Sequence, residues 1–574
     1  MSDGGLRVEA YGVGQRVAAG RRGAGRKARE AGGTRETLSG ITVSIAPGEL
    51  LAVAGGSGSG KTTLLEILAG LRSPTSGHVL HDGAEPAVLR PALGYLPHGN
   101  VMHDDLPLAR ALDYAARLRM PARTAPGRLA AAVRDALSSV GLAERAAQPV
   151  RTLSEGERRR ACIAVELLTR PRILFLDEPT TGLDPATGAE LMRTLRELTT
   201  HGVTVVLTTH APADLTRCDR VLFLTPTGRP AHLGPADTLT TAFAAPTLED
   251  VYAAVARGAG PADAPPPAAV PGREEPATPG HGSDEGAGRR EPPLGAVGQW
   301  WLLTRRSGES MLRNRLTAAV VVGSPLVIVA MFALLFRPGA FDPAAPSPGS
   351  SAMILFWIAF GGFFFGLTYG LLQICGEMAV VRRERLTVLR LGPYLLSKAA
   401  LLMPVLALAD AALLAVLRGL DRLPAAGWGT YGSLFLTVLL ASAAALALGL
   451  LASAAVGDPG QAALMLPMLC FPQVLFSGAF VPVPQMAWAG RVLSAAMTNR
   501  WAFEALGGGI GLPELWAHGA SPLGPPLLAS YGASFDRAVW ADWLLLAGFT
   551  ALFLAAAWAV LARKCRTVSR PAAG

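Results

Sequence analysis

From Gln299 onward the chain carries six long apolar runs, at about 316–336, 352–374, 399–417, 431–455, 462–481 and 541–562. Each approaches the ~20 residues that an α-helix needs to cross a hydrocarbon core. In lipid every backbone polar group must be satisfied internally, which leaves helices as the way to bury segments of this length. The expectation is an all-α transmembrane domain of about six helices over residues 296–570. Composition agrees, since 50% of the 574 residues are hydrophobic and only 17% are charged, a balance rarely found in a soluble chain.

The flanking charges orient these runs. Arg305, Arg306, Arg313 and Arg315 precede the first, Arg382, Arg383, Arg385, Arg390 and Lys398 separate the second from the third, and Arg563, Lys564 and Arg566 follow the sixth. Positive residues gather on the cytoplasmic side, so both ends are expected inside a plasma membrane, with Arg418 and Arg422 running mildly against the rule. The same bias accounts for the net charge of +9. No basic stripe interleaved with aromatics supports the other reading of that charge, a nucleic-acid partner.

The first half has a different texture. Residues 36–250 alternate short apolar runs with amphipathic stretches, the pattern of an α/β domain. Before them, residues 1–35 read as a flexible basic segment. Its stretch Gln15–Arg29 reads as a solvated loop, with contact to anionic lipid as the alternative. Residues 251–295 are rich in Pro, Gly, Ala and charge and read as a disordered linker, because such text buries too little apolar surface to offset its ordering entropy. The five cysteines (Cys162, Cys218, Cys375, Cys470, Cys565) show no CxxC spacing and imply neither a disulfide framework nor a zinc site. The N-terminal text lacks an apolar signal core, which places the α/β domain in the cytoplasm as an expectation.

The chemistry is concentrated in that domain. GELLAVAGGSGSGKTTLLEILAG is a strand, a glycine-rich loop and a helix in that order. Gly55, Ser57, Gly58 and Gly60 turn the backbone so that its N–H groups point at phosphates, and the helix that follows adds the positive end of its dipole. Lys61 reaches the β- and γ-phosphates, the Thr62 hydroxyl ligates Mg²⁺, and Thr63 is expected with them among the nucleotide-binding residues. Downstream, RPRILFLDEPTTGLDP holds a buried strand, Ile173–Leu176, ending in an acidic pair. Asp177 can hold Mg²⁺ through water, and Glu178 is placed to polarise the attacking water as general base. ATP and Mg²⁺ are therefore the expected substrate and cofactor.

These motifs together resemble the ATP-binding-cassette proteins, and so identify an α/β P-loop ATPase domain. LSEGERRRACIAVELL at 153–168 is similar to that family's signature sequence, Asp184 in GLDP matches its D-loop, and His210 in VVLTTH matches its switch histidine. The resemblance implies that Ser154, Gly156 and Glu157 act on ATP bound to a second chain, and that His210 contacts the γ-phosphate. An ATPase domain ahead of the membrane domain resembles the G subfamily of half-transporters, of the white/pleiotropic-drug-resistance type. GEMAVVRRERLTVLRLGPYLLSK at 376–398 resembles its coupling segment, and FSGAFVPVPQM and TNRWAFEAL resemble the stretches after its fifth span.

Three positions depart from the family pattern. His98 in GYLPHGN stands where the family places the nucleotide-contacting Gln of the loop that senses Mg²⁺. Simple tolerance is one reading and pH-dependent coupling the other, since an imidazole changes charge near neutrality. Glu155 replaces the first signature Gly. No aromatic stands ready to stack on adenine, for Tyr11 comes early and Gln15 occupies the expected place.

In the membrane half, Asp410 inside the third run is either a functional charge facing a cavity or partner, or a structural carboxylate. Phe356, Phe360, Phe363, Phe364 and Phe365 point to helix packing or lipid contact more than to cargo stacking, and Glu377 with the nearby arginines to a relay. The combined expectation is an ATP-hydrolysing half-transporter that exports a hydrophobic or amphipathic compound as a homodimer or heterodimer. The alternatives are a degenerate partner subunit and a regulatory membrane ATPase without its own cargo.

Overall fold

A computed structural model describes residues 4–18, 34–86, 93–99, 101–257 and 294–565. The chain divides into two compact units, one of residues 1–295 with 382–389 and 567–574, the other of residues 296–381 with 390–566.

The first unit is built on two sheets. Strands β1 (Val8–Ala18), β2 (Thr34–Ile45) and β4 (Ser76–His81) form an antiparallel sheet in the order β2-β1-β4. Strands β3 (Leu50–Gly55), β5 (Leu93–Leu96), β6 (Ile173–Leu176), β7 (Thr204–Thr209), β8 (Arg220–Leu224) and β9 (Pro230–Gly234) form the second, in the order β5-β6-β7-β3-β8-β9. All neighbours in it are parallel except the edge pair β8–β9. Every residue of β3, β6 and β7 is buried, as befits central parallel strands covered on both faces. Because these three strands run in parallel, their carboxyl ends lie along one edge of the sheet, and the phosphate loop and the acidic pair start from that edge.

Two expected boundaries move. Residues 8–18 are a paired strand rather than part of a flexible segment, because Val8, Ala10 and Val13 are buried in the core beside Ile41, Val43 and Ile45 of β2. Of the basic stretch, residues 19–29 lie outside the described residues. At the other end, the helix Leu248–Ala256 runs into the expected linker. Thr247 caps it and Val251 and Val255 are buried, spaced i, i+4 on one face. The rest of the linker, residues 258–293, lies outside the described residues.

Four described helical segments are long and apolar enough to cross a membrane: Pro348–Thr387, Leu391–Gly419, Trp428–Ala455 and Val539–Lys564. The expected count of about six is approximate. The run at 316–336 lies on the 21-residue helix Arg315–Leu335. The run at 462–481 leaves its helix, Pro459–Leu475, after 17 residues that include Pro467 and Pro472. A proline inside a helix removes a backbone donor.

Helices Pro348–Leu371 and Trp428–Ala455 cross at close range. A Cβ on Gly366 would collide with the carbonyl of Ser442, and Gly362 and Gly370 face the same partner. Small residues at four-residue spacing let two apolar helices bring their backbones together. Asp410 is fully buried next to this crossing, where the Ser442 hydroxyl lies 2.9 Å from its Oδ2 and 3.0 Å from the Gly362 carbonyl. Its burial within the unit favours the structural reading of that carboxylate. Phe356, Phe363 and Phe365 are likewise buried, and Phe360 contacts Phe356, Phe363 and Phe364, so most of this aromatic set is helix packing. Glu377 pairs with Lys398 at 2.7 Å and accepts from the Tyr394 hydroxyl at 3.2 Å.

Candidate nucleotide-binding and hydrolytic site

The site grows out of the carboxyl end of β3. Gly55, Gly58 and Gly60 have φ of 146°, 81° and 94°, values that favour residues without a Cβ. Gly60 is also pressed against β2, where a Cβ would lie 2.8 Å from the Thr37 carbonyl and the Leu38 side chain. Ser57 and Gly58 are exposed, and Thr63 is half-buried on the first turn of the helix Lys61–Leu68. That helix directs its free N–H groups into the loop, where an anion is favoured.

Lys61 is buried, and its Nζ donates to the Gly55 carbonyl at 2.9 Å and the Gly56 carbonyl at 3.0 Å. Glu178 Oε1 stands 3.8 Å from the same nitrogen. Burial holds the Lys61 ammonium below the ordinary lysine range, with Glu178 and Asp177 pulling the other way. The exposed Thr62 hydroxyl donates to the Asp177 carboxylate at 3.0 and 3.1 Å. One hydroxyl and one carboxylate side by side at the mouth of a phosphate loop suit Mg²⁺, which takes a few protein oxygens and completes its shell with phosphate and water. Among the described residues no group of three His, Cys, Asp or Glu could hold a metal alone.

Glu178 has φ 47°, a left-handed conformation that costs of order 1 kcal/mol for a residue with a side chain. Its neighbours hold it there. Its N–H donates to the Thr208 hydroxyl at 2.8 Å, Arg159 donates to its carbonyl at 3.3 Å, and the Thr181 hydroxyl donates to Oε2 at 3.0 Å. His210 Nδ1 lies 3.4 Å from that Oε2 and His98 Nδ1 lies 4.0 Å from it. Burial pushes the Glu178 carboxyl up, but Thr181, His210 and Lys61 together hold it below the ordinary carboxylate range. An ionised carboxylate between a lysine and two imidazoles can orient a water and draw on its proton.

Two of the remaining motif residues, Ser154 and Asp184, cap helices. Ser154 caps the helix Glu155–Leu167 in a reciprocal box. Its hydroxyl accepts from the Glu157 N–H at 3.2 Å, and its own N–H donates to Glu157 Oε2 at 2.9 Å. Gly156 packs on Thr187 with no room for a Cβ. Glu155, the unusual residue, is exposed. Asp184 caps the helix Pro185–Thr200, accepting from the N–H groups of Ala186 and Thr187 at 3.1 Å. Tyr11 packs against His78 with ring centroids 5.1 Å apart and planes tilted by 30°, a contact between β1 and β4 of the antiparallel sheet.

Two contributors were not identified from the sequence. Thr208 donates to Asp177 Oδ1 at 2.7 Å while accepting from Glu178, and so aligns both acidic residues from β7. Arg159, buried on the signature helix, donates to the Gly99 carbonyl at 2.8 Å as well as to Glu178. Its place in the run Arg158–Arg160 reads as a charged helix face, and nothing in the local text marks the middle arginine as buried.

Residues 38–181 match the ABC transporter family, and residues 298–510 match the ABC-2 type transporter family. An ABC transporter ATP-binding/permease protein of Mycobacterium tuberculosis is 30% identical over 565 residues, covering 93% of this chain and 62% of that protein. ABC transporter G family member 21 of Arabidopsis thaliana is 40% identical over 207 residues, 34% of this chain and 30% of that protein. Member 22 from the same plant is 37% identical over 201 residues, 33% and 27% of the two chains. The chain thus spans less than two thirds of the length of each of these relatives. Among solved structures, a dimeric post-hydrolysis state of an ATP-binding cassette bound to ADP and Pi aligns with 40% of this chain and 98% of its own, at 24% identity and a TM-score of 0.35.

Proposed function

We propose, from the matches of its two halves to the ABC transporter and ABC-2 type transporter families, that the chain is one half of an ATP-driven exporter of the G-subfamily type, moving a hydrophobic or amphipathic compound. The observation that carries this reading is the convergence of Lys61, the Thr62–Asp177 pair and the Glu178–His210 pair on one sheet edge, in a chain whose other half has four described membrane-length helices.

The phosphate loop and Lys61 bind the triphosphate. Thr62 and Asp177 hold Mg²⁺, which when bound offsets charge on the phosphate oxygens. Glu178 orients the attacking water and takes its proton, and His210 steadies the γ-phosphate against that carboxylate. Ser154, Gly156 and Glu157 of one chain serve the nucleotide on a second chain, so the working unit is a dimer. Exposure of Glu155 supports activity despite its departure from the family signature. The charges flanking the apolar runs support a plasma-membrane protein with its ATPase domain in the cytoplasm.

Inside-out vesicles bearing the wild-type chain are expected to accumulate amphipathic compounds with ATP, whereas vesicles bearing Lys61→Ala are not. Equal accumulation by both would defeat the transport reading and leave the regulatory ATPase in its place. An untargeted comparison of metabolites exported by cells carrying the same two chains identifies the cargo.

His98 adds a second expected result. Its Nδ1 stands 4.0 Å from the carboxylate assigned as general base, and a glutamine amide in its place can donate and accept as an imidazole does. His98→Gln is expected to hydrolyse ATP at close to the wild-type rate in a steady-state assay. A rate changed severalfold would show that the imidazole itself contributes to the site.

A further inference from the structure

Asp214 lies outside the motifs that define the site, on the short turn of helix Pro212–Leu215, and is buried. Its Oδ2 accepts two hydrogen bonds of 2.6 Å, from the hydroxyls of Thr180 and Thr209. Bonds to an ionised acceptor are shorter and stronger than those between neutral groups. Thr180 follows Glu178 by two residues, and Thr209 immediately precedes His210. The Thr209 hydroxyl also accepts from the Ala211 N–H at 3.0 Å, so its proton and a lone pair are both committed. One carboxylate oxygen therefore ties together the chain segments that carry the carboxylate and the imidazole of the hydrolytic pair.

Those segments need such a tie. The His210 side chain is 54% exposed, so packing alone does not hold the ring. Glu178 sits in a strained backbone conformation that persists only where its surroundings over-determine it. Thr208 and Arg159 hold the Glu178 peptide, and the loop beyond it is anchored through Thr180. We infer that Asp214 is a positioning residue for hydrolysis, setting the separation of Glu178 and His210 without touching substrate. This rests on the proposed ATPase reading.

The test uses the full chain in lipid and measures kcat, KM and equilibrium ATP binding. Asp214→Ala leaves the buried Thr209 hydroxyl and the half-buried Thr180 hydroxyl without their acceptor. It is expected to lower kcat about tenfold or more, the scale on which misplaced catalytic groups cost rate, with KM and ATP affinity nearly unchanged. Thr209→Val is expected to lower kcat in the wild-type background and to add nothing in Asp214→Ala, because both break the same tie. Asp214→Asn keeps an acceptor of the same shape and is expected to recover much of the rate. An unchanged kcat, a parallel fall in ATP affinity, or additive effects of the two substitutions would overturn the assignment. Should Asp214→Ala fail to fold, Thr209→Val and Asp214→Asn decide by the same kcat-against-KM split. Wild-type turnover that is abolished by Glu178→Gln but indifferent to Asp214→Ala would reject this inference alone. A wild-type chain without turnover, indifferent to both, would reject the ATPase reading itself.

Discussion

Glu178→Gln is expected to lower steady-state ATP hydrolysis by about a hundredfold or more, the contribution typical of a positioned general base, while ATP still binds. The amide is nearly isosteric and can go on accepting from the Thr181 hydroxyl, which lies 3.0 Å from Oε2. What it removes is the negative charge held 3.8 Å from Lys61 Nζ and 3.4 Å from His210 Nδ1. Loss of that charge deprives the attacking water of its base without taking any contact from the phosphates. ATP affinity should hold or rise, because a carboxylate beside a γ-phosphate repels it. Turnover and equilibrium binding measured on the same preparation check both halves of the expectation. Turnover within threefold of wild type would refute the role given to Glu178.

Lys61→Ala is expected to act at the earlier step. Its ammonium is the charge in the loop that can meet the β- and γ-phosphates, and it is already directed there by the Gly55 and Gly56 carbonyls. A hydrogen bond to a charged group contributes about 1.5–3 kcal/mol, so ATP should bind roughly ten- to a hundredfold more weakly, with hydrolysis lost in parallel. Titration with labelled ATP distinguishes the two variants. Lys61→Ala loses binding, and Glu178→Gln retains it. Wild-type affinity in Lys61→Ala would show that backbone N–H groups alone hold the triphosphate.

Much of the site could be read from the text because its parts are local. Gly55, Gly58, Gly60, Lys61 and Thr62 fall within eight consecutive residues, and the positive φ of the three glycines is the conformation that spacing demands. Asp177 and Glu178 follow a continuously apolar strand, as a buried parallel strand requires. The edges of the domains were less legible. The strand Val8–Ala18 carries Gly and Gln among its apolar residues and has register shifts in its pairing with β2. Its alternation is broken and its strand character emerges only against its partners. The helix Leu248–Ala256 is short and Ala-rich, so composition blurred it into the Pro- and Ala-rich text that follows.

By itself, the sequence determined the candidate chemistry and the two-part architecture: which groups are proposed to meet phosphate and Mg²⁺, and which runs are long and apolar enough for lipid. Both follow from contiguous residues, the first from loop geometry and the second from run length. Only the tertiary structure decided how the hydrolytic groups are held. The sheet order places β7 between β6 and β3, and so Thr208 meets an Asp177 that lies 31 residues earlier. Asp214 joins a Thr180 that is 34 residues away. Such contacts carry no local spacing rule, because they depend on which parallel strands become neighbours after their crossovers.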